Sequence, residues 1–259
     1  MNVYFTQHRD DCNNAKTRDD VFLVIQYFVH KDKERFSELT ECLKKNIKIG
    51  LFKNIFALNE RLYTRDEMGL TEDEFDRVVQ IDTKGERLRY RHFFDFVEEQ
   101  KMKGVKGYFV LANTDIFFDE SISNLRRSCL HEKKSVYALL RHEWDGSNSE
   151  LFKMRGTPVP GSQDVWCVHT NHAPFPVGLK QRSDFYLGVL GCDNTIAYLL
   201  HVYGYDCINE PCIVKTYHNH KSQKRNTDTW GKTIRRTHYL FPVPIVRLGD
   251  GVKHKTVVI

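Results

Sequence analysis

Residues 107–119, GYFVLANTDIFFD, contain the clearest fold signal in the sequence. Five apolar residues follow the glycine, a pattern typical of a strand buried on both faces of a parallel sheet. Three polar residues then interrupt the run, namely Asn113, Thr114 and Asp115. Ligands of open α/β sheets collect where strands end, because the loops there place polar side chains over a rigid base. The stretch therefore predicts a central strand with a functional edge.

Asp115 has two interpretations at this edge. A carboxylate in that position suits a hard divalent cation, and the cation in turn suits a diphosphate. Asn and Asp are also common turn-forming residues, so Asp115 could simply begin a turn. On this stretch alone the turn is the simpler interpretation, and a metal site needs support from elsewhere in the chain.

Strand and helix patterns alternate over residues 20–140. The predicted strands are 21–29, 54–58, 78–81, 108–112 and 135–140, and the predicted helices are 34–47, 86–100 and a third that Asp119 caps. Such alternation is the signature of a mainly parallel sheet built from βαβ units with right-handed crossovers. We therefore predict a single α/β domain with a mainly parallel central sheet flanked by helices.

The second half of the chain changes character. Residues 145–161 are rich in Gly, Ser and Pro and predict a flexible connection. Residues 192–203 predict a helix that ends at a glycine, the usual residue beyond a helix terminus. Residues 211–217 predict a strand that runs into a pair of histidines.

Composition limits the possible classes of protein. The chain has 259 residues, 41% of them hydrophobic, which allows one large α/β domain or two modest ones. A net charge of +5 is too weak to indicate a nucleic-acid partner, although it is compatible with nucleotides. No apolar run approaches the roughly 20 residues that cross a bilayer, and the polar start predicts no signal peptide. Seven cysteines without CxxC spacing argue against a disulfide framework and a structural zinc site. We expect a soluble, cytoplasmic protein with reduced thiols.

Three polar clusters stand out: residues 113–115 (NTD), 191–194 (GCDN) and 218–220 (HNH). Their order and contexts resemble the nucleotide-sugar glycosyltransferases of the GT-A fold, especially the family 2 group. Those enzymes carry a short acidic motif at the end of a sheet strand. Further on, an acidic motif opens a helix that runs into a Gly-Tyr pair, a proline, a strand and a histidine. The corresponding sequence here is CDNTIAYLLHVYGYDCINEPCIVKTYHNH, and the resemblance spans roughly residues 20–225. The LANTDIFFD and GCDN patterns are similar to those of bacterial and large-virus glycosyltransferases.

The resemblance implies a metal site. It matches Asp115 and His218 to the residues that hold Mn²⁺ (or Mg²⁺) between the phosphates of the donor. His220 lies beyond His218 and, if the strand continues, is expected to face the other way. Asn113 departs from the family pattern, which usually has Asp at this position. An amide can hydrogen-bond a ribose hydroxyl, but it brings no charge to the metal. Without the family pattern, His218 would be interpreted as a surface or core histidine.

The resemblance also matches Asp193 to the catalytic base of inverting members. An acceptor hydroxyl is a poor nucleophile at neutral pH, and a carboxylate that takes its proton contributes about 10²–10⁴-fold to the rate. A carboxylate in the first turn of a helix is stabilising by roughly 0.3–1 kcal/mol in any case, so Asp193 also has a purely structural interpretation.

Other residues are candidates for binding the two substrates. For the nucleoside and diphosphate of the donor, the resemblance implies Asn59, Arg87, Tyr90, Asn113 and Thr114. For the acceptor they are Gln163, Asp164 and Trp166, because an aromatic face suits sugar C–H groups. Trp166 could equally belong to the core, which is the interpretation that we favour. Lys221, Lys224 and Arg225 are candidates for holding phosphate oxygens, or else form an ordinary solvated surface.

The predicted organisation is a donor-binding half (1–145), an acceptor-binding and catalytic half (146–235) and a C-terminal tail (236–259). The predicted function is that of a metal-dependent, inverting glycosyltransferase. It would move a sugar from a nucleoside diphosphate, taken as UDP from its frequency in this fold, to a glycan or other hydroxyl acceptor. Two alternatives stay open: an inactive glycosyltransferase-like binding module, suggested by Asn113, and a metal-dependent phosphoesterase using Asp115, Asp193 and His218.

Overall fold

The computed structural model describes residues 2–6 (backbone only), 16–153, 162–222, 234 and 238–245. The strands are β1 (Asn2–Thr6), β2 (Asp20–Ile25), β3 (Ile55–Asn59), β4 (Val78–Asp82), β5 (Gly107–Ala112), β6 (Ile116–Phe118), β7 (Ser135–Leu140), β8 (His142–Trp144), β9 (Ser149–Leu151), β10 (Gln163–His169), β11 (Asp206–Ile208), β12 (Thr216–Asn219) and β13 (His238–Pro242). The α-helices are α1 (Lys33–Lys48), α2 (Arg65–Met68), α3 (Glu72–Phe75), α4 (Tyr90–Met102), α5 (Val177–Arg182) and α6 (Cys192–Val202). Short 3₁₀ helices cover Glu120–Arg127, Cys129–His131 and Thr170–His172.

A seven-stranded sheet forms the centre of the molecule, in the order β11-β7-β10-β5-β2-β3-β4. Every neighbouring pair is parallel except those of β10, which is antiparallel to both β5 and β7. The predicted α/β fold with a mainly parallel sheet is therefore confirmed. The sheet takes strands from both halves of the chain, since β10 and β11 come from beyond residue 145.

The central strand β5 is buried on both faces, as its apolar run predicts. Phe109 and Leu111 belong to the core that includes side chains of α4 and α6. Tyr108 and Val110 belong to the core on the other face, together with Leu43 of α1. Because successive strand residues point to opposite faces, an uninterrupted apolar sequence is what a strand between two cores requires.

Local capping interactions set the ends of several helices. The Asp32 carboxylate accepts hydrogen bonds from the backbone N–H of Glu34 (3.0 Å) and Arg35 (3.1 Å), so α1 begins here. Asp119 accepts from the N–H of Ser121 at 2.9 Å, which confirms the predicted cap, although the element that follows is a 3₁₀ helix. Helix α6 begins after Gly191, whose φ of +84° lies in the left-handed region that favours glycine.

A second, four-stranded sheet has the order β6-β12-β8-β9. Strand β6 follows β5 after a short polar loop, and β8 follows β7 directly. Strand β12 lies between them, antiparallel to β6 and parallel to β8. The strand predicted at 211–217 is displaced to Thr216–Asn219, because residues 211–214 form a turn closed by the Val214 N–H donating to the Glu210 carbonyl (3.2 Å).

Five of the described cysteines carry free thiols: Cys42, Cys167, Cys192, Cys207 and Cys212. Cys129 is disulfide-bonded, so the expectation of unpaired cysteines is wrong at that position. Within the described ranges, no helix combines the length and the apolar character needed to cross a membrane. Part of the predicted connection 145–161 forms strand β9, and residues 154–161 lie outside the described ranges.

Candidate functional site

A cleft of about 670 Å³ opens along one edge of the central sheet. Its walls come from the loops that follow β2, β3, β4, β5 and β7, from the beginning of β10 and from the segment that leads into α6. Its ionisable lining residues are Arg35, Glu60, Arg87, Asp115, Arg141, Asp164, Asp193, His218, His30 and His220. This is the edge at which open α/β sheets bind ligands.

Asp115, His218 and His220 form a cluster that could hold a metal ion, with potential ligand atoms all within 4.8 Å of one another. The Oδ2 atom of Asp115 lies 3.1 Å from Nε2 of His218. Asp115 and His218, which were predicted to bind the metal together, therefore lie in contact. The expectation that His220 faces away is wrong, because residues two apart along an extended chain share a face.

The pairing of β12 explains how the two distant residues meet. His218 lies opposite Ile116 of β6, the residue next to Asp115, and opposite Glu143 of β8. The Asn219 N–H also donates to the Asp115 carbonyl at 2.9 Å. Backbone pairing of the small sheet thus places the imidazole beside the carboxylate.

Glu143 orients the imidazole from the other side. Nδ1 of His218 lies 2.9 Å from Oε2 of Glu143, and Nε of Arg141 donates to Oε1 of the same carboxylate at 2.6 Å. With Nδ1–H donated to Glu143, Nε2 is directed towards Asp115. Metal-ligating histidines commonly donate their second N–H to a carboxylate in this way.

Strong charge pairing surrounds Asp115. Burial by itself would raise the pKa of its carboxyl, but His218 and Arg35 hold that pKa well below its usual range. Burial by itself would lower the pKa of His218, but Asp115 and Glu143 raise it to about 9. In this arrangement an ionised Asp115 is neutralised by the protonated imidazole and by the guanidinium of Arg35, which contacts Oδ2 directly.

Asp193 lies in the first turn of α6 and lines the cleft. The Tyr90 hydroxyl donates to its Oδ1 (3.2 Å), and the Cys192 thiol lies at the same distance. Burial, reinforced by the neighbouring negative charge of Asp164, raises the pKa of Asp193 to about 7, despite these hydrogen bonds. A carboxyl that ionises near neutrality is suited to accept a proton from a substrate hydroxyl.

Asp164 connects two polar groups of the cleft. Its Oδ2 accepts from Nη1 of Arg141 (2.7 Å), and its Oδ1 accepts from the Asn113 amide nitrogen (2.8 Å). One of the two N–H groups of the Asn113 amide is therefore used by Asp164. The carbonyl oxygen of the same amide lies towards Gly188, 3.8 Å from the position that a Cβ would take there. Asn113 is thus held as a hydrogen-bond acceptor at the cleft.

Arg87 is a partly buried cation at the cleft wall. Its Nη2 donates to the Leu187 carbonyl at 2.7 Å, and within the described part of the chain no carboxylate forms an ion pair with it. Burial lowers the pKa of this guanidinium. A Cβ at Gly188 would lie 3.4 Å from Nη2 of Arg87, so the glycine keeps the space beside the guanidinium open. An anionic ligand would satisfy this charge.

Several predicted site residues do not line the cleft. Asn59 is fully buried, with its Oδ1 accepting from the Tyr27 N–H (2.8 Å). Tyr90 lies beneath Asp193 rather than at the surface of the cleft. Gln163 is fully buried. Trp166 belongs to the core and contacts Tyr90 edge to face, at 6.0 Å between ring centroids, as the favoured interpretation predicted.

The remaining predicted residues are more peripheral. Thr114 lines the cleft, but its hydroxyl donates to the Gln26 carbonyl, so it supports the loop. Lys221 is exposed, and Lys224 and Arg225 lie outside the described ranges.

Sequence reasoning missed Arg35, Arg141, Glu143 and the role of His220. Arg141 and Glu143 carry the same signal that identified Asp115, since they follow the buried run of β7 as Asp115 follows that of β5. Arg35 has no comparable local signal, because it is one of several charged residues along α1.

No protein-family model matches the chain, and no curated protein matches it. Some solved structures are similar. A mannosyltransferase from Pyrobaculum calidifontis, solved in complex with GDP-Man and Mn²⁺, has 11% identity and a TM-score of 0.49, over 81% of this chain. The inositol-1-phosphate CTP transferase from T. maritima has 10% identity and a TM-score of 0.46, over 83% of this chain and 95% of its own. This chain spans only 59% of the length of the mannosyltransferase.

A glycosyltransferase involved in the glycosylation of the major capsid of PBCV-1 has 10% identity and a TM-score of 0.41, over 79% of this chain and 96% of its own. These similar structures are glycosyl- and nucleotidyltransferases, and the sequence motifs resemble the first of these two groups. The function of this chain is inferred from the residues of its cleft.

Proposed function

We propose that this protein is a metal-dependent glycosyltransferase that moves a sugar from a nucleoside diphosphate to a hydroxyl acceptor, with inversion at the anomeric carbon. One observation carries the proposal. A single cleft contains a three-residue cation cluster, Asp115, His218 and His220, together with Asp193, a carboxyl whose pKa is raised to about 7. Transfer from a nucleotide-sugar needs both functions, charge neutralisation at the diphosphate and a base for the acceptor.

The ligands of the cluster fit a divalent cation. One carboxylate and two imidazoles suit Mn²⁺ better than Mg²⁺, since Mg²⁺ prefers oxygen ligands. Glu143 supports this assignment by fixing the orientation of His218. When bound, the cation would neutralise the negative charge that develops on the leaving diphosphate.

Asp193 would act as the general base. Its carboxylate takes the proton of the acceptor hydroxyl as that oxygen attacks the anomeric carbon. The bond from the anomeric carbon to the diphosphate oxygen breaks with its electron pair, and the nucleoside diphosphate leaves from the opposite face. Attack opposite the leaving group inverts the configuration.

Polar groups on the cleft walls would hold the two substrates. On the donor side, which belongs to the 1–145 half, Arg87 offers a guanidinium to the diphosphate and Asn113 offers its carbonyl oxygen to a sugar hydroxyl. On the acceptor side, which begins after residue 145, Asp164 lines the cleft beside Asp193. Tyr90 would act on Asp193 rather than on the donor.

A donor screen tests the proposal. The protein is incubated with Mn²⁺ and a panel of UDP- and GDP-sugars, with glycan acceptors, and release of free nucleoside diphosphate is measured. We expect release with at least one donor.

Asp115→Asn should lose metal-dependent nucleotide binding. Asp193→Asn should keep binding and lose about 10²–10⁴-fold in transfer. Asp73→Asn, an exposed carboxylate on α3, serves as the control and should behave as the wild type.

The same assay separates the alternatives. Nucleotide binding without any release would favour a binding module, and release of inorganic phosphate from phosphoesters would favour a phosphoesterase. Full transfer activity in Asp193→Asn would show that Asp193 is not the general base.

A further inference from the structure

Two side chains, the guanidinium of Arg35 and the imidazole of His218, share one oxygen of Asp115. Nη2 of Arg35 contacts Oδ2 of Asp115, and Nε2 of His218 lies 3.1 Å from the same atom. Arg35 is only 8% exposed, so the contact is largely removed from solvent. A divalent ion bound by Asp115 would therefore lie close to the positively charged guanidinium of Arg35, which already contacts the same carboxylate.

The second guanidinium nitrogen of Arg35, Nη1, is fixed by other hydrogen bonds. It donates to Oε2 of Glu38 (2.9 Å) and to the Asn219 carbonyl (3.1 Å). Glu38 is in turn fixed by Ser222, whose N–H donates to Oε1 (2.6 Å) and whose hydroxyl donates to Oε2 (2.9 Å). Helix α1 and the end of β12 thus anchor the guanidinium beside the cation cluster, and its contact with Asp115 is built into the fold.

The positive charge of Arg35 opposes the binding of a divalent ion that arrives without the nucleoside diphosphate. A divalent ion arriving alone adds two positive charges within a few ångströms of an anchored guanidinium, in a partly desolvated site where repulsion is poorly screened. A nucleoside diphosphate brings the negative charge that can neutralise both cations. Its oxygens also match the planar donor fork of an arginine.

We propose that Arg35 is a resident competitor of the divalent ion at Asp115, which keeps metal binding weak until the diphosphate of the donor is present. The inference rests on the proposed function and adds that binding of the divalent ion is coupled to binding of the nucleoside diphosphate. Because coupling between two ligands is reciprocal, Mn²⁺ should raise the affinity for the nucleoside diphosphate by the same factor. Arg35 acts here as a positioning residue.

Mn²⁺ titrations test the coupling without any assay of activity. Electron paramagnetic resonance measures free Mn²⁺ with the wild type, with Arg35→Gln and with Lys33→Gln, each alone and with saturating UDP or GDP. For the wild type we expect the nucleotide to lower the Kd for Mn²⁺ at least tenfold. Arg35→Gln should tighten binding of Mn²⁺ alone at least tenfold and reduce the effect of the nucleotide. Lys33→Gln removes the same charge from an exposed position on the same helix and should match the wild type.

Arg35→Gln leaves Glu38 buried without its main partner and could impair folding. The double variant Arg35→Gln/Glu38→Gln removes both charges of the pair, and circular dichroism checks the folding of each protein. The double variant should bind Mn²⁺ alone more tightly than Glu38→Gln does.

The outcomes separate this inference from the proposed function. Equal Kd values for Mn²⁺ in the wild type and in the folded Arg35 variants would overturn the competition, while leaving the metal site in place. Absence of Mn²⁺ binding in every variant, with and without nucleotide, would overturn the metal-dependent function itself.

Discussion

Asp193 shows how the proposed function depends on the surroundings of single residues. The carboxyl has an ordinary pKa in water, and burial beside Asp164 raises it to about 7. Tyr90 and Cys192 oppose this shift by donating hydrogen bonds, which favour the ionised form. The pKa of this proposed base is therefore set by burial and by its neighbours Asp164, Tyr90 and Cys192.

Removing the Tyr90 hydroxyl should change the pH dependence of transfer. If Asp193 is the general base, as proposed, it accepts a proton only when ionised, so kcat/KM should rise with pH through a midpoint near 7. In Tyr90→Phe the ionised carboxylate loses a donor, its pKa rises, and the rising limb should move to higher pH by about 0.4–1 unit, the equivalent of one hydrogen bond. The measurement is a pH profile of kcat/KM.

Tyr198→Phe is a matched control, since Tyr198 lies on α6 with Asp193 but stacks on His238. Its profile should coincide with that of the wild type. A Tyr90→Phe profile that is unmoved, or moved to lower pH, would contradict the hydrogen-bonding role of Tyr90.

At the scale of elements, β12 decides whether the cation cluster forms. It lies between β6 and β8, which continue from two strands of the central sheet. Its register places His218 between Asp115 and Glu143, and a slip of one residue would turn the imidazole to the other face. Glu143 then fixes the orientation of the ring within that register.

Glu143→Ala should therefore weaken metal binding without removing a metal ligand. The Nδ1–H of His218 loses its acceptor, so the ring is no longer oriented towards Asp115. Losses of this kind usually cost about 10–100-fold in metal affinity. Isothermal titration with Mn²⁺, in the presence of a nucleoside diphosphate, measures the change in Kd.

Glu150→Ala is the control on the neighbouring strand. Glu150 pairs with Glu143 across β8 and β9, but its carboxylate is exposed and contacts Lys153. Its loss should leave the Kd for Mn²⁺ unchanged. Equal effects of the two substitutions would show that Glu143 acts through general charge rather than through the imidazole.

At the scale of the whole molecule, the central sheet supports the cleft because both of its faces are covered by core. Phe109 of β5 is fully buried, stacks on Phe22 (4.7 Å between centroids) and meets Phe96 of α4 edge to face (6.0 Å). Strand β5, which ends just before Asn113, is thereby fixed by the core of the molecule.

Phe109→Ala should cost about 3–5 kcal/mol of unfolding free energy, because it leaves a cavity among aromatic rings that cannot close over it. Equilibrium unfolding in urea gives the value. Met102→Ala, at a side chain that is 81% exposed, should stay within about 0.5 kcal/mol of the wild type. A similar small loss for both substitutions would contradict the role of Phe109 in the core.

The sequence by itself determined the α/β alternation, the buried central strand and the polar residues at its end. These features are local, because burial on both faces demands an apolar run from each strand separately, and the run must stop where the strand meets solvent. Asp115 was accessible to such reasoning, and so were Arg141 and Glu143, which follow a buried strand in the same way. Asp193 was identified through the family resemblance instead.

Only the tertiary structure decided which of these polar groups meet. His218 reaches Asp115 across 103 positions of sequence through the register of β12, and Arg35 reaches it across 80 positions through the packing of α1. Tyr90, Asn59 and Gln163, which were predicted to line the cleft, are likewise buried in the interior. Contacts between distant segments depend on how whole elements pack, and no local pattern of residues encodes that packing.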